Sequence, residues 1–356
     1  MRNDRTPTRF IALGALLAVG CSERPKPAPA APPPPPPPSA YAYVTNEDSH
    51  DLTIINADTD SAIGTIPVGT RPRGVKVSQD GKLVFVALSG SPKCPPTMPD
   101  EECEKLTSDK SKDGVAVVDA ATRTVSRVLP GGSDPETFAL SPDDSKIYVS
   151  NEDVGMASIV EVATGKILAT VPTGKEPEGV TLAPDGKSVW VSGETDHDIT
   201  ILDAGSGKRM GRVVVGLRPR TVAFLPDGSK AYSANEAAGT VSVIDVATRK
   251  VTGTITLPEG SKPMTILASA DGKRLYVSNG RGGTVSAIDV ATGQVTQTVA
   301  VGKRPWGIAL SRNGSKLYSA NGPSNDVSVI DLATFTVVKT IPAGKVPWGV
   351  AVGSAP

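Results

Sequence analysis

An all-β, seven-bladed β-propeller is predicted by three observations. Tyr-Val-Ser-Asn-like segments recur at an even spacing: 84 residues, twice 42, separate Asn151 from Asn235, 44 separate Asn235 from Asn279, and 42 separate Asn279 from Asn321. Periods of about 40–45 residues made of short strands are the signature of propeller blades. Each repeat also reads as four strands with period-2 alternation and many β-branched residues, the pattern of half-buried strands. Finally, second-strand segments occur seven times, at Val44, Val86, Val149, Val191, Ser233, Val277 and Ser319.

Taken in chain order, the first element is a targeting segment over residues 1–20. Arg2, Arg5 and Arg9 precede the apolar run Phe10–Val19. Ten apolar residues are too few to span a bilayer, which needs about 20. The run ends in Leu17-Ala18-Val19-Gly20-Cys21. This resembles the lipobox of bacterial lipoproteins, with Ala18 where leucine is usual, and the resemblance makes Cys21 the lipidated first residue of the mature chain. An ordinary signal peptide cut nearby is the alternative. Residues 21–39 form a proline-rich linker, whose composition favours extended polyproline II. At about 3.1 Å per residue it would hold a domain roughly 50 Å from its anchor.

The propeller is expected over residues 40–353. In each repeat an apolar strand after proline, such as Gly307–Leu310, leads through a turn to the Tyr-Val-Ser-Asn strand. An alternating strand such as Thr240–Ile244 and a final one such as Val251–Ile255 complete the blade. Asp80-Gly81, Asp185-Gly186, Asp227-Gly228, Asp271-Gly272 and Asn313-Gly314 are hairpin signals, and only Asp143-Asp144 departs. Asp119, Asp203, Asp245, Asp289 and Asp331 recur in a second turn, where a carboxylate accepts turn amides; their repetition argues for capping rather than catalysis. The chain starts at the second strand of a blade and ends on Trp348–Val352, a first strand, so the two ends should close the ring together.

Composition narrows the function. With 37 basic and 37 acidic residues the net charge is zero, which argues against a nucleic-acid partner. Aromatics are only 4%, so the core must be Val, Ile, Leu and Ala. Once Cys21 is lipidated, Cys94 and Cys103 remain, and an even remainder in an oxidising compartment suggests a disulfide. They lie in an insertion of blade two, residues 89–113, which offers either a shaped contact surface or a tolerated surface loop.

The segments Tyr43-Val44-Thr45-Asn46, Ile-Pro-Val-Gly, Pro-x-Gly and Ser-Pro-Asp-Gly resemble the YVTN family of β-propellers over the whole of residues 41–353. Asp134–Asp153, Lys175–Thr195 and the C-terminal Val346-Pro347-Trp348-Gly349-Val350-Ala351-Val352 look more narrowly like propellers associated with PQQ-dependent alcohol catabolism. That resemblance implies an envelope protein near quinoprotein dehydrogenases and c-type cytochromes, with no reaction to carry over. The lipobox, the linker and the cysteine insertion depart from the narrower pattern.

Candidate site residues sit in loops at the channel mouth. The residue after each loop proline gives a ring of Arg73, Glu136, Glu178, Arg220, Met264, Trp306 and Trp348. Two readings stay open: the arginines hold an anion while the tryptophans stack on a ligand, or Arg and Glu neutralise each other and the tryptophans plug the channel. The two histidines, His50 and His197, fall in matching loops of blades one and four, with Asp48 and Asp196 nearby as weak metal candidates. Exposed loop residues are the alternative. No Ser-His-Asp, phosphate-loop or His-Glu-x-x-His arrangement stands in a catalytic context, and no cofactor is expected.

The sequence therefore favours a non-catalytic binding or scaffold module for a protein partner, a quinoprotein dehydrogenase or cytochrome c among the candidates. It would be lipid-anchored at the outer membrane, facing periplasm or surface. A metal-dependent lactonase or lyase and a surface structural or adhesive propeller are the alternatives.

Overall fold

The structure, a computed structural model, describes residues 1, 3, 7, 8, 37–93, 100–103 and 105–356. Cys21, the linker up to residue 36 and Cys94 lie outside the described residues, as does the Cys103 side chain on the short helix Asp100–Cys103. The expected lipidation and disulfide therefore fall outside the described residues too. The chain divides into two units, Met1–Pro37 and Pro38–Pro356, and the second is the propeller.

Seven sheets, each of four antiparallel strands, form seven blades. Blade five shows the order from the axis outward: Pro219–Phe224, Lys230–Asn235, Thr240–Asp245 and Lys250–Thr256. Blade one is made by both chain ends, as the sequence predicts. Pro347–Ser354 supplies its innermost strand and pairs with Ala40–Asn46, setting Tyr41 opposite Gly353 and Tyr43 opposite Ala351.

There is no single core. Seven apolar clusters each fill the seam between two consecutive blades, for example Ile55 and Val44 of blade one with Tyr318 and Val329 of blade seven. Because neighbours cover both faces of a blade, the second and third strands are buried on both sides; only the outermost strand is mainly exposed. This corrects the expectation of half-buried strands. The polar positions of the alternation do not face water, since Ser150, Ser233, Ser286 and Asn321 are all fully buried.

Buried polar groups need partners, and the partners explain the repeated motif. Its asparagine clamps the hairpin that comes after it: Asn235 Nδ2 donates to Ser242 Oγ at 2.9 Å, and Asn279 Nδ2 to Ser286 Oγ at 2.8 Å. Its Ser or Thr reaches across a seam to the next blade. Thr45, Ser150, Ser192 and Ser278 donate to the carbonyls of Arg73, Glu178, Arg220 and Trp306 at 2.6–2.8 Å. Those carbonyls belong to the residues just after the loop prolines, so the motif fixes the mouth residues. Ser278→Ala, which leaves the Trp306 carbonyl and the Thr265 amide without this partner, should destabilise the fold by about 1–3 kcal/mol in a denaturant titration.

The turn aspartates behave as caps. Asp203 accepts the Ser206 amide at 2.7 Å and Asp331 the Thr334 amide at 2.8 Å; those amides, helped by the neighbouring hydroxyls, hold both carboxyls below the usual range.

Candidate functional site

The mouth is built from two loop sets, and local backbone geometry ties them together. The residue before each loop proline adopts a left-handed conformation: Arg71 (φ 43°), Asp134 (48°), Glu176 (50°), Arg218 (58°), Lys262 (52°), Arg304 (50°) and Val346 (55°). Non-glycine residues reach this region at a cost. In all of these but Arg71 the carbonyl is turned to accept the amide of the residue after the motif asparagine or its equivalent, as in Glu236 N–H to Arg218 O at 2.8 Å and Glu194 N–H to Glu176 O at 3.0 Å. That contact sets a second ring of side chains, Glu47, Glu152, Glu194 and Glu236, beside the predicted one. The sequence signal for it was available, because glutamate follows the motif asparagine or its equivalent in four repeats.

The two rings form a cavity of about 720 Å³. Arg73, Glu136, Glu178, Arg220 and Trp306 of the predicted ring line it. Met264 does not; it is buried against Gly280. Trp348 faces the channel below. Neither predicted arginine is free for an anion. Arg73 lies 3.4 Å from Glu47, 3.8 Å from Asp134 and 3.6 Å from Glu152, and contacts Glu136. Arg220 lies 2.6 Å from Glu178 and 3.5 Å from Glu236, and contacts Glu194. Arg71 pairs with Glu47 at 3.0 Å, and Arg218 with Glu194 and Glu236.

Protonation follows from this crowding. Burial alone would lower the pKa of Arg73 and of Arg220, but the surrounding carboxylates raise both. Burial lifts Glu178 well above the carboxylate range against the pull of Arg220, and it shares a hydrogen bond with Glu194. Glu194 is also pushed up by burial, but Arg220, Glu178 and Arg218 outweigh that and hold it down. Glu152 differs. Its side chain is 29% exposed, and burial pushes its pKa to about 7, with Arg73 opposing and Asp134 and Glu194 adding to the rise. A carboxyl titrating near neutrality in a cavity can move a proton in either direction.

One guanidinium in this cavity takes part in none of the ion pairs among the described residues. Arg304 stacks over the Trp306 ring at 5.0 Å. Trp306 in turn meets Trp348 edge-on at 5.2 Å. The sequence pattern passes over Arg304 because it picks out the residue after the proline rather than the one before.

The insertion of blade two closes one side. Ser91, Pro92, Lys93, Leu106, Ser108 and Lys110 line the same cavity. Lys93 pairs with Asp48 at 3.0 Å and with Glu47 at 3.2 Å, Lys110 pairs with Asp153, and the Ser91 carbonyl accepts from Arg71. The loop is therefore part of the mouth wall.

The weak metal candidates are not brought together. His50 (φ 61°) and His197 (φ 57°) occupy left-handed turn positions that Gly239, Gly283 and Asn325 fill in other blades. His50 Nδ1 accepts the Arg71 amide at 3.2 Å, and His197 Nδ1 lies 3.2 Å from the Arg218 amide. Each ring thus supports the next blade's loop. Asp48 pairs with Lys93, and Asp196 lies 3.5 Å from Arg212. Among the described residues, ligand atoms converge within 4.8 Å at Asp134, Glu136 and Glu152. Arg73 already places its own cation there.

Known proteins resemble this chain in part of its sequence and in its fold. The model of the family described as lactonase, seven-bladed β-propeller, matches residues 208–340, the stretch that carries Arg218, Arg220, Arg304 and Trp306. A search of curated proteins finds no match. Among solved structures, a candidate 6-phosphogluconolactonase from Bacteroides fragilis is 20% identical, with a TM-score of 0.71 over 88% of this chain and 98% of that one. Another from Bacteroides uniformis is 18% identical, with a TM-score of 0.70 over 88% and 99%. Hydrazine synthase of Kuenenia stuttgartiensis is 22% identical, with a TM-score of 0.67 over 79% and 89%. At these identities the likeness shows a shared β-propeller fold. The expectation of a non-catalytic scaffold is overturned: the lactonase family model matched over residues 208–340 points to an enzyme-type propeller. Glu152 and Arg304 come from loops of different blades, with no local motif to mark them together.

Proposed function

We propose that this protein hydrolyses a lactone of about monosaccharide size at the mouth of its propeller. The observation that carries the reading is the presence, in one cavity of about 720 Å³, of the near-neutral Glu152 and of Arg304, which enters no ion pair among the described residues. The lactonase family match supports it. Glu152, as carboxylate, takes a proton from water while the water oxygen attacks the lactone carbonyl carbon. Arg304 donates to the carbonyl oxygen as it gains charge. When the ring C–O bond breaks, Glu152 returns its proton to the leaving oxygen, and a hydroxy acid results.

The resemblance to YVTN and PQQ-associated propellers, the targeting segment and Cys21 extend the proposal to a lipid-anchored enzyme of the bacterial envelope, its linker a spacer and Cys94–Cys103 a disulfide. Beside a quinoprotein dehydrogenase it would have a ready source of substrate, since oxidation of a cyclic hemiacetal yields a lactone.

Acid release from gluconolactone, its 6-phosphate and simple butyrolactones tests the reading. Turnover above the spontaneous rate, lowered about 100-fold or more by Arg304→Met, is expected; no turnover on any of them would remove the reading. Because Arg73 already sits among Asp134, Glu136 and Glu152, activity should survive EDTA.

A further inference from the structure

Below the mouth, the channel holds a second cavity of about 410 Å³, open toward the opposite face. The volume suits a small ligand, since such sites run from about 300 to 1,000 Å³. Its wall is mostly apolar, with Phe138, Val180, Val222, Ile266 and Val350 among the lining residues, and no carboxylate of the described residues lines it. Three of the four threonine hydroxyls are already engaged: Thr137, Thr181 and Thr221 donate to the carbonyls of Glu178, Val222 and Met264 at 2.6, 2.8 and 3.0 Å.

Besides the Thr265 hydroxyl, two donors in this wall have no acceptor among the described residues. One is the indole N–H of Trp348, a residue only 9% exposed. The other is the ammonium of Lys76, which enters no ion pair or side-chain hydrogen bond there. Both stand on innermost strands of neighbouring blades, Pro347–Ser354 and Val75–Val77. The position of Lys76 is filled in the other blades by Ala139, Thr181, Ala223, Leu267, Ala309 and Ala351, so the repeat itself does not call for a lysine. Lys76 is open to the channel lumen, yet the encircling walls remove enough water to lower its pKa. A cation and an N–H left without acceptors between apolar walls favour an anion that also carries hydrocarbon.

We propose that this lower chamber binds a small amphipathic monocarboxylate, with its carboxylate between Lys76 and Trp348 and its alkyl part against the apolar strands. One positive charge and one neutral donor match a monoanion better than a phosphate dianion. The assignment rests on the lower chamber alone and stands whether or not the mouth hydrolyses lactones.

Calorimetric titration of the full chain with sodium octanoate, and with octan-1-ol as the uncharged control, tests it. Octanoate should bind saturably at one site, with octanol weaker by about tenfold or more, the worth of one charge-assisted contact. Lys76→Met should lose octanoate by about the same factor and Lys76→Arg should keep it, with circular dichroism confirming the fold of each. Trp348→Phe should weaken it by roughly a fewfold. Equal binding of octanoate and octanol, parent affinity in Lys76→Met, or no saturation at about 10 mM octanoate would overturn the proposal. The octanol comparison needs no variant and decides alone should Lys76→Met fold poorly.

Discussion

Glu152→Gln should cut lactone hydrolysis by about 10²–10⁴-fold, the range a positioned general base contributes, while leaving the propeller folded. The parent rate should rise with pH through about 7, as Glu152 loses its proton and becomes the base. In the variant that limb should vanish from the pH–rate profile. Stability should move the other way. The folded-state pKa of Glu152 lies above its ordinary value, so the folded protein holds the proton more tightly. Its contribution is therefore present at acid pH and is lost as pH rises from the usual carboxylate range to about 7. Glu152→Gln should flatten that slope, as read from denaturation midpoints between about pH 4.5 and 7. A variant that keeps the parent rate and its pH limb would show that Glu152 is not the base.

Gly179→Ala should be a severely damaging single-methyl change, at about 3 kcal/mol or more. Gly179 lies on the innermost strand of blade four, where the next blade approaches closely. An added Cβ would stand 2.9 Å from Thr221 Cα and 2.8 Å from Ser192 Oγ, and closer still to the Arg220 carbonyl. Backbone cannot yield there without moving Arg220 and its carboxylates, so the variant should lose activity as well as stability. Gly253→Ala is the control: its Cβ would meet only Val243, at an ordinary 3.8 Å. It should stay within about 0.5 kcal/mol of the parent. Equal midpoints for the two variants would refute the close-approach argument.

The repeat made the architecture legible because each blade states its four strands again, with turns marked by Asp-Gly. Ring closure was legible too, since the chain opens on a second strand and ends on a first. What misled was the meaning of the polar alternation. Ser192 and Asn235 stand in strands that read as half-buried, yet in a propeller both blade faces are interior, and these residues form the hydrogen bonds between and within blades. The site was half legible. Proline marked the ring of Arg73, Glu178 and Trp306, but one ring cannot tell which arginine is neutralised. That depends on Glu47, Glu194 and Glu236, which arrive from different strands and, for Arg220, from different blades. Arg304 stands out only by the absence of such a neighbour among the described residues. His50 and His197 drew attention as rare residues, and their loop positions show them supporting backbone.

The blade closed by the first and last strands of the propeller makes the integrity of the ring depend on both. Asn46 and its register partner Pro347 stand at opposite ends of the propeller sequence, so the edge of Ala40–Asn46 stays unpaired until the strand Pro347–Ser354 has been made. An unpaired edge is sticky and open to proteolysis, whereas the cost of joining such distant segments grows only logarithmically with their separation. A propeller lacking the strand Pro347–Ser354 would keep that edge exposed, and would be open to proteolysis where the closed ring is not.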